Sequence, residues 1–177
     1  MPIDISAGIF PVVPYTEVEH SQVFPLASSN LLKVRKGDIT KWSVDGHCDA
    51  IVNSTNVRML AEGGADAAIH RAAGLQLGGA LYDIPEMQPG VRCPTGQARI
   101  TPNSLMAAKA NRIEYIAFPA VCCGTYGYPS REAATVAIST VKEFAHDFKE
   151  VHFVLLMDEV FDNWLDKTRE LLPPMLG

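Results

Sequence analysis

No stretch of this 177-residue chain is apolar for anything near the ~18–20 residues that a bilayer-spanning helix needs, so no membrane-embedded helix is expected. Cysteine is scarce: Cys48, Cys93, Cys122 and Cys123 are the whole set. None forms a C-x-x-C pair, which argues against a zinc site, and adjacent cysteines rarely bond each other, so reduced thiols are expected. Positive charge is also short, with 15 Lys and Arg against 20 Asp and Glu, a net charge of −5. A nonspecific nucleic-acid surface would be basic, so that class is set aside. A dianionic nucleotide is not, because backbone amides can hold phosphate without any basic side chain. A secretory leader, with its charged, apolar and small-residue parts, is also missing, and the expected location is intracellular, cytoplasmic and/or nuclear. There is no internal repeat and no evident linker, so one domain large enough to bury a core is expected.

What the chain does have is concentrated between Asp49 and Gly74. A short apolar, β-branched run, Ala50-Ile51-Val52, suits a buried parallel strand. Two asparagines follow, Asn53 and Asn56, then a loop ending in Gly63-Gly64, then a helix carrying Asp66 and His70. Backbone N–H groups at a helix start lack intrahelical partners and sit at the positive end of the dipole. Glycines let a phosphate approach them closely. Ala65, Ala68, Ile69 and Ala72 fall at helical spacing and are expected to face the core. Asp66 and His70, four apart, share a neighbouring face one turn from the glycines. A carboxylate beside an imidazole at the mouth of an anion site can serve as a base. By spacing alone, a dipole-favoured first-turn acid and an ordinary histidine are the better account of the pair.

The remaining chain alternates strands with helices, which makes the class α/β. Residues 1–30 carry prolines at 2, 11, 14 and 25 and are expected to form an extension, with the domain spanning 31–177. Leu31–Arg35 alternates as a strand and ends at Lys36-Gly37-Asp38, where an aspartate is commonly a turn or cap residue. Leu75–Asp83 suits a short helix, Ile84–Cys93 a loop, Gln97–Thr101 an edge strand, Asn103–Arg112 a helix and Tyr115–Val121 a strand. Ser130 is a candidate N-cap for a helix with a stripe of Ala133, Ala137, Val141, Phe144 and Phe148. Val151–Met157 reads as a central strand, and Phe161, Trp164, Leu165 and Leu172 as the buried face of the last helix.

Four pieces in order carry a resemblance: Lys36-Gly37-Asp38-Ile39-Thr40, the Asp49–Gly74 stretch, Cys93-Pro94-Thr95-Gly96-Gln97-Ala98, and Ala117-Phe118-Pro119 leading to Cys123-Gly124-Thr125-Tyr126-Gly127-Tyr128-Pro129. Together they resemble the macrodomain family, and within it the MacroD-type ADP-ribosyl hydrolases. The resemblance implies a three-layer α/β/α sandwich around a mixed sheet. It implies ADP-ribose as ligand, with Asp38 at the adenine amino group and Ile39 beside it. Gly63, Gly64 and the Cys123–Gly124–Thr125–Tyr126 loop would wrap the diphosphate, with Asn53 and Ala65 in the same ligand set and Tyr126 against the distal ribose. Asn56 would hold that ribose, and Asp66, with His70 nearby, would activate or orient a water. Phe161 would be a possible adenine contact. The implied reaction is hydrolysis of the ester joining ADP-ribose to a protein Asp or Glu, or deacetylation of O-acetyl-ADP-ribose. It needs no metal or cofactor, and the partners are mono-ADP-ribosylated proteins met by a monomer.

Three departures from the family pattern stand out. Ser54-Thr55 occupy the place of small residues, and Ala61-Glu62 replace two loop glycines. At Pro102-Asn103, some tens of residues, including one strand of the sheet, are missing. Beside the hydrolase, these departures keep open a reader that binds ADP-ribose without turnover and a shortened form with an impaired site.

Overall fold

A computed structural model describes residues 20–44, 50–99, 113–124 and 127–172. Five strands form one sheet in the order β1-β2-β5-β4-β3. They are β1 (Ser21–Pro25), β2 (Leu31–Lys36), β3 (Ala50–Ile51), β4 (Tyr115–Phe118) and β5 (Glu150–Leu155). β1 runs antiparallel to β2, and β2, β5, β4 and β3 are mutually parallel, so the sheet is mixed. The helices are α1 (Gly64–Ala73), α2 (Leu75–Tyr82), α3 (Ser130–Glu143) and α4 (Asp158–Leu171). A 3₁₀ turn at Ile39–Lys41 follows β2.

Central β5 is paired on both edges, so both faces must be covered and its side chains are nearly all buried. Val151, Phe153 and Leu155 join Leu32, Val34 and Ile116 against Ala134 and Ile138 of α3 and Val160, Phe161, Trp164 and Leu165 of α4. Phe153 meets Trp164 edge-on, ring centroids 4.6 Å apart. On the opposite face Val154 and Ala117 pack with Ile39 and Trp42, and Ile69 of α1 leans on them. A smaller cluster of Met59, Leu77 and Leu81 lies beneath α1 and α2. The arrangement is a three-layer α/β/α sandwich.

Several expectations need correcting. The sheet begins at Ser21, inside the stretch expected to be an extension. Phe24 alone of β1 is buried, so the strand has too little apolar pattern to be read from sequence. In α1 the expected core stripe is turned: Ala72 is exposed and Asp66 is the buried residue. In α3 the deepest residues are Ala134 and Ile138, while Ala133, Ala137, Val141 and Phe148 are only partly buried and Phe144 lies exposed beyond the helix end. Ser130 is the first helical residue rather than the cap, and its hydroxyl accepts from Asn163 Nδ2 at 2.8 Å. β5 stops at Leu155, leaving Leu156 and Met157 exposed at 71% and 49%. Gln97–Arg99 form no strand: the Arg99 guanidinium folds back onto Gln97 Oε1 at 2.9 Å. β3 is only two residues long, and among the described residues nothing pairs with its outer edge. The Asn103–Arg112 helix, the Pro102-Asn103 junction, Cys48, Thr125 and Tyr126 lie outside the described residues.

On the α1 side of the sheet His152 is 1% exposed, with Nε2 2.8 Å from Glu150 Oε2 and its ring edge-on to Trp42 at 5.2 Å. Burial pushes its imidazole down to about 4, more than the Glu150 carboxylate can offset. Burial alone would raise Glu150, but the Lys33 ammonium at 2.7 Å and the His152 hydrogen bond outweigh it and hold the carboxyl below its ordinary value. His152 is therefore neutral in the folded chain, and the unfolded chain takes up its proton first as pH falls. Stability is full above 6.5 and falls between 6.5 and about 4. At roughly 1.4 kcal/mol per pKa unit the loss reaches about 3 kcal/mol at most. Urea denaturation across that range is expected to show the fall in the natural chain and to lose most of it in His152→Gln.

Candidate functional site

Four parallel strands bring their C-terminal ends to one edge of the sheet, where open α/β sheets bind ligands. Gly37-Asp38 leave β2 there, Asn53 follows β3, Ala120–Gly124 follow β4, and Leu156-Met157 follow β5. The Gly37 amide donates to Leu155 O at 2.9 Å, which carries the β2–β5 pairing to the point where both strands leave the sheet. Lys36 and Asp158 form an ion pair across the same mouth.

Asp38 caps the 3₁₀ turn: its Oδ1 accepts the Thr40 amide at 2.9 Å and the Thr40 hydroxyl at 2.8 Å. Those two donors hold its carboxyl below the ordinary range. Ile39 is 5% exposed and packs in the second apolar cluster, so its side chain does not line the edge. Phe161 is 7% exposed within the main core, where it packs between α4 and the sheet, as its place on the buried face of the last helix leads one to expect. Leu156 and Met157, which follow β5 at this edge, are exposed. Reading Val151–Met157 as one buried strand hid them.

The other half of the edge is polar and interior. Asp66 in the first turn of α1 is 5% exposed, and a buried carboxylate must be well supplied with donors. Asn53 Nδ2 donates to its Oδ1 at 2.7 Å. Thr55 Oγ1 and the Glu62 amide donate to Oδ2, each at 3.2 Å. His70 Nε2 lies 3.4 Å from Oδ1, without the alignment of a hydrogen bond. Among the described residues, Asn53 Oδ1 is buried with no donor and His70 Nε2 is buried with no hydrogen-bond partner. Unpaired buried acceptors are costly and mark where a ligand or water hydroxyl would bond. Asn53, Asp66 and His70 are thus brought together. Thr55, which the sequence reading passed over as a departure, belongs with them.

Gly63 and Gly64 sit directly above this cluster. Gly63 caps α1 without a side-chain hydrogen bond, and Gly64 has φ 55, a left-handed conformation that favours glycine. Ala65 follows in the first turn, and Ala61 and Glu62 are exposed. Asn56 is not part of the cluster. Its Oδ1 accepts the Arg58 amide at 2.9 Å and the Leu60 amide at 3.4 Å, while its Nδ2 donates to Leu60 O. The residue expected to grip a ribose therefore folds its own loop. Across the edge, Cys123 is half-buried, with Sγ 3.4 Å from Val121 O, and burial pushes its thiol up, away from a nucleophilic thiolate. Gly124 O accepts the Gly127 amide at 2.9 Å.

The chain matches the Macro domain family over residues 52–109 and 101–137, two segments that meet in the stretch containing the shortened junction. It is 36% identical over 167 residues to a macro domain-containing protein of Vibrio parahaemolyticus, covering 76% of this chain and 95% of the relative. That alignment is longer than the share of this chain it takes in, so part of the relative has no counterpart here. It is 37% identical to an O-acetyl-ADP-ribose deacetylase of Salmonella typhimurium, covering 72% and 88%. An Oceanobacillus iheyensis macrodomain solved with ADP superposes at TM-score 0.72 and 27% identity, covering 86% of this chain and 97% of that one.

Asn56→Ala removes three hydrogen bonds from the 56–60 loop. It is expected to lower stability by about 1–2 kcal/mol in urea denaturation, since part of the freed backbone can turn to water.

Proposed function

The chain belongs to the macrodomain family, and from that premise we propose that it binds ADP-ribose and hydrolyses the ester linking the distal ribose to an acidic side chain or to acetate. The observation that carries the reading is the buried Asp66 carboxylate, held beneath the N-terminus of α1 beside two unpaired polar atoms of Asn53 and His70. In this reading the adenine lies against Leu156 and Met157 with Asp38 at its amino group. The diphosphate takes the amides of Gly63 and Gly64 at the N-terminus of α1 and faces the Cys123–Gly124 loop. Negative charge is favoured at that helix terminus. The distal ribose reaches the Asn53–Asp66–His70 cluster.

Chemistry then needs a positioned water and a proton acceptor. Asp66 is rigidly held and takes the water proton as the oxygen attacks. Asn53 Oδ1 accepts a ribose hydroxyl. Glu62 is exposed, so its charge is not driven into the diphosphate site. The proposed partners are mono-ADP-ribosylated proteins or O-acetyl-ADP-ribose. A second reading, a binder without turnover, is favoured by one observation: Asn56 is committed to its own loop.

Calorimetric titration with ADP-ribose is expected to give one-to-one micromolar binding, about −8 kcal/mol; a folded chain that gives no heat would overturn the assignment. Asp66→Ala is expected to lower release of ADP-ribose from a glutamate-linked substrate by about 100-fold or more. Binding should weaken by about tenfold as well, because the Glu62 amide loses its acceptor. Unchanged release by that variant would overturn the role given to Asp66, whereas binding with no release by the natural chain would leave the binder reading in place.

A further inference from the structure

Asp66 joins three parts of the chain through one carboxylate. Oδ1 takes Asn53 Nδ2 at 2.7 Å from the exit of β3 and faces His70 Nε2 at 3.4 Å. Oδ2 takes the Glu62 amide at 3.2 Å from the entrance to the diglycine turn, and the Thr55 hydroxyl at 3.2 Å. These last two donors differ in kind. A backbone amide can only donate, whereas a hydroxyl rotates and can also accept. With Thr55 donating, Oδ2 is engaged and anionic. With Thr55 turned to accept, Oδ2 can carry a proton without confronting a second donor proton.

We propose that Thr55 is a positioning residue whose hydroxyl sets the Asp66 carboxylate and, through it, the entrance to the Gly63-Gly64 turn. Its second role rests on the hydrolase reading. As the water oxygen bonds the ribose carbon, the ester C–O bond breaks and the leaving carboxylate keeps the electron pair. The water proton passes to Oδ2, and Thr55 swings from donor to acceptor. The first role concerns the free chain and stands without any turnover.

The test compares Thr55→Val, which keeps the shape and loses the hydroxyl, with Thr55→Ser, which keeps the hydroxyl and loses a methyl. In the ligand-free chain, amide hydrogen exchange at Glu62 is expected to match the natural protein in T55S and to speed up by about tenfold in T55V. In hydrolysis, T55V is expected to lower kcat by about tenfold with KM nearly unchanged, and T55S to restore it. A Thr55 that only fills space would reverse the order, with T55V normal and T55S impaired, and that result overturns the proposal. So does unchanged Glu62 exchange in T55V. If T55V does not fold, T55S against T55A makes the same comparison, because those two differ only in the hydroxyl. A natural chain that releases no ADP-ribose defeats the hydrolase reading alone, and the exchange order still decides for or against Thr55.

Discussion

β5 is the constraint on which the molecule depends. It is hydrogen-bonded along both edges, to β2 and to β4, and its side chains are buried on both faces. Its register fixes that of its neighbours, and its direction sets the edge at which three connecting loops emerge beside its own. Asp38, Asn53 and the 120–124 loop are far apart in sequence and share that edge because β2, β3 and β4 all run parallel to β5. The side chains along β5 also divide the labour of the two faces. Val151, Phe153 and Leu155 bind the α3–α4 layer, and His152 and Val154 meet the layer that carries the site.

Burying a carboxylate imposes the second requirement. Asp66 can be 5% exposed only because Asn53, Thr55 and Glu62 bring donors to it from outside its own helix. Those bonds fasten the entrance of the diglycine turn to the end of β3, so the amides at the start of α1 and the acid hold one geometry. The same clustering leaves Asn53 Oδ1 and His70 Nε2 without hydrogen-bond partners among the described residues.

Much of this was legible in the sequence, where hydrophobicity and glycine chemistry speak clearly. The α1 boundaries, the central strand and the Phe161, Trp164 and Leu165 face of α4 follow from pattern alone. What escaped has physical reasons. β1 buries only Phe24, so half-exposed edge pairing left no period to detect. Alanines are small enough to sit on either side of a helix stripe, which is why the α3 face was misplaced by one position toward Ala133 and Ala137. Leu156 and Met157 continue the apolar run of β5 but lie beyond the last ladder bond, and hydrophobicity cannot distinguish a core residue from an exposed one. Thr55 finds its acceptor 11 residues away, across a loop, and no local pattern announces such a bond. Asn56 shows the converse: the residue type suits a sugar contact, yet the same amide is well suited to an Asx turn, and the local bonds take it.

Among the described residues β3 is the outer strand of the sheet, and the bonds on its inner side decide how the polar half of the site is held. β3 retains β4 as a partner, and the ladder continues past its end through Val52 N to Ala117 O at 2.8 Å. Further out, the amides of Arg92 and Cys93 both donate to Val57 O, at 2.9 and 3.0 Å, pinning the 53–60 loop from the side. Asp66 holds the same loop from above. Three supports therefore fix the polar half of the site, and none of them comes from the outer flank of β3. The outer edge of β3 has no partner among the described residues, and the relative positions of Asp38, Asn53, Asp66 and Gly124 rest on bonds along its inner side.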